Sequence, residues 1–238
     1  MQQGRHVAPW LKQLAVVAGF GAAFSLLHLV SLAYWMPLMG LRVAFVLLLP
    51  RRYWAALVLS ETLAQSPWAY ACIPYFGLWG ALIYLIPAMP IVMLAVWLLR
   101  RTLPVYEAVR REGLFLTERH LVALLGCAAV VSIVASIDNT LLFSLTIPAG
   151  MDTWALIGEW APRYLLGNYL GCLILAPLIL AVHEFIRREG SWRAVVEAAG
   201  HSRMLLEGCL LGGACLAILT LLAASSQGQA WQQSVRMA

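Results

Sequence analysis

Long apolar runs, cut by short breaks that carry arginine in pairs, dominate the chain: Arg51-Arg52, Arg100-Arg101, Arg110-Arg111 and Arg187-Arg188 separate stretches almost free of charge. Crossing about 30 Å of hydrocarbon takes about 20 apolar residues as a helix, the form that satisfies its own backbone where there is no water. Composition points the same way, with 62% hydrophobic and 11% charged residues and a mean hydropathy of +0.81, against roughly 25% charged in an ordinary soluble domain. A water-soluble fold is excluded.

The fold expected is an all-α, polytopic transmembrane helix bundle. Apolar runs over residues 10–33, 37–49, 53–66, 75–99, 120–145, 162–186 and 204–224 predict about seven helices, the second and third of them short. They occupy residues 1–238 as a single integral membrane domain, which leaves no room for a soluble output or catalytic domain.

Cytoplasmic loops hold the excess of Lys and Arg in membrane proteins. Of the 16 such residues, Arg42 lies within a run, Arg163 and Arg236 fall on one side, and all the others fall on the opposite side. This predicts a multi-pass protein of the cytoplasmic membrane with its N-terminus in the cytoplasm and the acidic 146–161 loop (Asp152, Glu159) outside. Trp35, Trp68, Trp154 and Trp160 then mark the outer interface, and Trp10, Trp54, Trp97 and Trp192 the inner one. Seven spans would end the chain outside, so an eighth helix is expected if the chain continues. The stretches 100–119 and 187–203 mix Arg and Glu with apolar residues, as interfacial amphipathic helices or solvated helix extensions do.

The net charge of +5 belongs to headgroup contacts and topology rather than to nucleic acid. Cys127, Cys172, Cys209 and Cys215 lie in apolar runs without metal-ligand spacing. His28 and His183-Glu184 form no His-Glu-x-x-His pattern, and packed or interfacial histidines account for them. Neither a Gly-x-Ser-x-Gly elbow nor a phosphate loop is present, so no enzyme activity and no cofactor is expected.

Ionisable residues inside the runs are few: Arg42, Glu61 and Asp138. Each is costly in lipid and marks function or a pair. Arg42 and Glu61 are each about eight residues, roughly 12 Å at the helical rise, from the turn at 50–53, a depth that predicts an ion pair between adjacent helices. Asp138, Asn139 and Asn168 come out nearer the outer surface, with Arg163 close enough to partner Asp138. The expectation is a polar tier in the outer half of the bundle with the Arg42–Glu61 pair beneath it, serving ligand binding or signalling; buried polar links between helices are the structural alternative. Gly167-x-x-x-Gly171 and Gly208-x-x-x-Gly212 are read as helix-packing devices, and Pro87, Pro90 and Pro177 as kinks.

Two segments carry a family resemblance: Leu47-Leu48-Leu49-Pro50-Arg51-Arg52-Tyr53-Trp54, and Pro162-Arg163-Tyr164-Leu165-Leu166-Gly167-Asn168-Tyr169-Leu170-Gly171-Cys172-Leu173-Ile174-Leu175-Ala176-Pro177-Leu178. Together with Pro37 and Gly40, they resemble the first class of bacterial membrane-associated sensor domains, the MASE family, over about residues 34–180. Asn168 stands where that family often has Asp, Pro50 where it often has Gly, and Arg42 in a helix that is usually apolar. The resemblance implies an N-terminal sensory input domain for a histidine kinase or a diguanylate cyclase, and so two-component or cyclic-di-GMP signalling. Its implied partners are membrane lipid, a second copy dimerised through the output domain, and a partner membrane protein. Two other readings stand beside it: a small-solute-binding component of a transporter working with a cytoplasmic ATPase, which has a similar size and helix count, and a ligand-free docking protein, against which the polar tier argues mildly. The inverted repeat of many secondary transporters is missing.

Overall fold

A computed structural model describes residues 8–29, 31, 36–102, 118–144 and 153–189. All the regular structure among them is helical: α1 (Pro9–Leu29), α2 (Pro37–Leu48), a 3₁₀ turn (Arg51–Tyr53), α3 (Trp54–Tyr84), α4 (Met89–Thr102), α5 (Glu118–Ser144) and α6 (Thr153–Glu189). The chain divides into two compact units, Met1–Leu180 and Ala181–Ala238. The bundle below belongs to the first; the described part of the second is residues 181–189, the last turns of α6. The expected helix at 204–224, the Gly208/Gly212 pair and most of 100–119 and 187–203 lie outside the described residues.

Polarity is distributed inside out. Trp154 (81% exposed), Tyr70 (76%) and Trp79 (68%) face outward with Leu59, Leu63, Leu94, Ile133, Ile137 and Leu178, whereas Glu61 and Asn168 are wholly buried. That is the arrangement hydrocarbon selects, since apolar groups lose nothing there and polar groups need protein partners. Three helical stretches are long and apolar enough to cross a membrane, Trp10–Leu29, Phe76–Leu98 and Trp160–Leu180; Pro37–Leu48 and Leu125–Leu141 are shorter apolar helices.

α2 is the centre of the bundle. Its 12 residues rise only about 18 Å, yet nine of them are buried, because α1, α4 and the start of α3 surround it. Pro37 begins it at a position where its missing N–H costs nothing. The Met36 N–H donates to the Gly167 carbonyl of α6 at 3.1 Å, and Gly40 lies directly on the Gly171 backbone. Side chains larger than hydrogen at either glycine would separate α2 from α6. α1 runs parallel to α3, with Ser60 Oγ donating to the Val17 carbonyl at 2.6 Å and His28 against Trp68 further along.

The third and fourth helices depart from the sequence expectation. The third does not stop at Ser66: it runs through Pro67 and Pro74. Proline at 67 removes the N–H that would serve the Leu63 carbonyl, and the Ser66 hydroxyl donates to that carbonyl instead, at 2.7 Å. The helix is interrupted at Gly77, the one described residue with positive φ (68°), a conformation costly for any side chain. Glu61 and Met89 establish that the chain reverses there. In one straight helix they would be about 42 Å apart, yet the Met89 N–H donates to Glu61 Oε2 at 2.9 Å. The returning limb is then broken a second time, at residues 85–88 between α3 and α4, within what the sequence suggests is one helix over 75–99.

Candidate functional site

The break brings the end of one helix to a buried charge pair. Glu61, wholly buried on α3, uses both carboxylate oxygens. Oε1 accepts from Arg42 Nε at 2.8 Å and lies 2.5 Å from a terminal guanidinium nitrogen; Oε2 accepts from the Met89 N–H. That N–H is one of the orphan donors at a helix start, where the helix dipole also favours a negative group. Glu61 thus neutralises Arg42 and caps α4 at once.

One aromatic ring lies against the cation, and a run of rings extends from it. The Arg42 guanidinium carbon lies 5.3 Å from the Phe24 ring centre, a cation–π distance. Phe24 stacks on His28 at 6.0 Å and 17°, and His28 packs on Trp68 at 4.6 Å. His28 Nε2 shares a 3.2 Å hydrogen bond with the Tyr84 hydroxyl, which ties α1 to the last turn before the break.

Among the residues singled out from sequence, Arg42 and Glu61 are brought together as an ion pair. Asp138 and Asn139 are half-buried side by side on α5. Arg163 places its guanidinium 5.1 Å from the Trp160 ring on its own helix. Asn168 is wholly buried on α6 beside the α2 contact, and neither its Nδ2 nor its Oδ1 has a hydrogen-bond partner among the described residues. Nearby, Ser136 of α5 donates to the Ala161 carbonyl of α6 at 2.9 Å. A groove of about 360 Å³ lined by Ala129, Ile133, Pro162, Leu165, Leu166 and Tyr169 contains none of the polar-tier residues. Tyr84, Phe24 and the Met89 N–H were not legible as site groups. Their only sequence signal is the Pro87-x-x-Pro90 spacing, which announces a break but not what meets it.

The MASE1 family model matches residues 10–231. The chain belongs to the MASE1 family. MASE1 is a bacterial membrane-associated sensor domain, usually found in signalling proteins, and the match extends the resemblance seen at 34–180 to nearly the whole chain. No curated protein and no solved structure matches it. In this MASE1 chain, the Pro37–Gly40 start of α2 and the Gly167–Gly171 stretch of α6 meet at the backbone contact described above. The family's short hydrophobic motifs therefore hold the helix that carries Arg42.

Proposed function

We propose that this chain is the membrane-embedded sensory input domain of a bacterial signal-transduction protein of the histidine kinase or diguanylate cyclase type. It crosses the cytoplasmic membrane several times with its N-terminus in the cytoplasm, carries out no catalysis itself, and biases a dimeric output domain in response to a periplasmic or membrane-borne cue or a partner membrane protein. The reading rests on membership in a sensor family together with one observation: a buried ion pair on α2 and α3 caps α4 at a break inside the apolar bundle. Buried charge in a membrane bundle is expensive and is kept where it serves function. A change in its partners alters helix geometry directly, and two-state helix displacement is a common route by which input domains bias output.

The test uses a full-length protein in which this domain precedes its output domain, read by output activity with and without stimulus. Arg42→Ala and Asp138→Asn are expected to abolish or lock the response while the protein remains inserted. A normal response in both variants would remove the functional claim. Co-purification with a cytoplasmic ATPase and a tightly held small molecule would replace the sensor by a transport component.

A further inference from the structure

The second interruption, inside the apolar span Phe76–Leu98, follows from a specific set of missing rungs. Pro87 and Pro90 have no backbone N–H, so neither donates to the carbonyl one turn back, Ile83 or Ile86. The first loss is repaired locally, since the Ile86 N–H donates to Ile83 at 3.0 Å. Met89, the residue before the second proline, gives its N–H to Glu61 rather than to Leu85, its acceptor in a continuous helix. Ile91 turns to Ala88 at 3.1 Å. The rungs of residues 87, 89, 90 and 91 are thus absent or redirected. A carboxylate from the antiparallel limb stands in their place.

The two sides of the break are held by different partners. Before it, Tyr84 is tied to His28 of α1. After it, α4 is held at its first residue by Glu61 and packs Val92, Met93 and Val96 into the core. We infer that residues 85–88 are a hinge and that Glu61, anchored by Arg42, is the positioning residue whose grip on Met89 sets the direction of α4. This deepens the sensor reading and rests on it. α4 is 14 residues long, about 21 Å, so a 20° change at the hinge carries its far end by about 7 Å.

The test is a distance distribution between spin labels at positions 78 and 94, whose native leucines are 66% and 57% exposed. It is measured by pulsed electron resonance on the full chain in lipid nanodiscs, with the five native cysteines replaced. In one straight helix the two sites would be about 24 Å apart; the native protein is expected to give a shorter distance. Glu61→Leu removes the cap and is expected to shift the mean by several ångströms and broaden it. Glu61→Gln, which keeps an oxygen for the Met89 N–H, is expected to stay closer to the native distribution. A Glu61→Leu distribution superimposable on the native one overturns the latch. Should Glu61→Leu not insert, Pro87→Ala/Pro90→Ala decides: it restores two N–H donors without touching a charge, so a shift toward 24 Å supports the hinge and an unmoved distribution overturns it. No output domain is involved, so failure here leaves the sensor reading to its own test.

Discussion

Replacing Gly171 by alanine tests the packing that holds the whole site. The added methyl group would run into the Met36 carbonyl, whose carbon is 2.7 Å away, and would sit 3.2 Å from Pro37 Cα. Carbon atoms out of bonding contact prefer about 3.5–4.0 Å, and these neighbours are backbone at the start of α2 rather than the end of a flexible side chain. α2 must therefore retreat by about 1 Å. The retreat loosens the Met36–Gly167 hydrogen bond, at about 1 kcal/mol, and disturbs the wholly buried Met39 and Val46 on the same helix, with overpacking worth about 1–3 kcal/mol. Alanine recovers about 1 kcal/mol through its better helix propensity. The net loss is about 1–3 kcal/mol, or about 5- to 150-fold in the unfolding equilibrium.

The assay is equilibrium unfolding in mixed micelles of mild detergent and dodecyl sulfate, followed by circular dichroism. Gly126→Ala is the matched control, because Gly126 lies in α5 with open space around its Cβ position. It is expected to be neutral or stabilising by up to about 1 kcal/mol. Equal midpoints for Gly171→Ala and Gly126→Ala would refute the close approach of α2 and α6.

Arg42→Met leaves the Glu61 carboxylate buried without its charge partner, and is expected to lower stability by about 3–5 kcal/mol in the same unfolding assay. Adding Glu61→Leu should recover only part of this, since the Met89 N–H then loses its cap. Ser66→Ala deprives the Leu63 carbonyl of its donor at Pro67 and should cost about 1 kcal/mol; Ser66→Ala/Pro67→Ala, which restores the backbone N–H, should recover it, and a single variant as stable as native would remove the proposed repair. Asn168→Leu removes two buried polar atoms that have no hydrogen-bond partner among the described residues at similar volume and should stabilise the chain by about 1–3 kcal/mol; destabilisation on thermal unfolding would mean that the amide is satisfied in the folded protein.

The Arg42–Glu61 pair was legible because it needs only the helical rise and a common origin at the 50–53 turn. Two residues equally far from one turn on consecutive helices reach one depth whatever else the bundle does. The same arithmetic failed on the next segment for a definite reason. Pro67 reads as a helix end when only backbone donors are counted, but the Ser66 hydroxyl supplies the missing donor and the helix continues to Gly77. Glycine is common in apolar runs, and its neighbours in sequence do not mark this one as the reversal. The second break followed the opposite logic. Pro87 and Pro90 show in sequence that Ile83 and Ile86 lose their donors, yet Glu61, 28 positions before Met89, becomes a cap only because the chain turns back at Gly77. A carboxylate counted as one half of an ion pair therefore has a second, nonlocal duty. Substitutions at Gly77 should accordingly weaken the α4 cap although no atom of Gly77 touches Glu61, because the positive φ is what returns Met89 to its level.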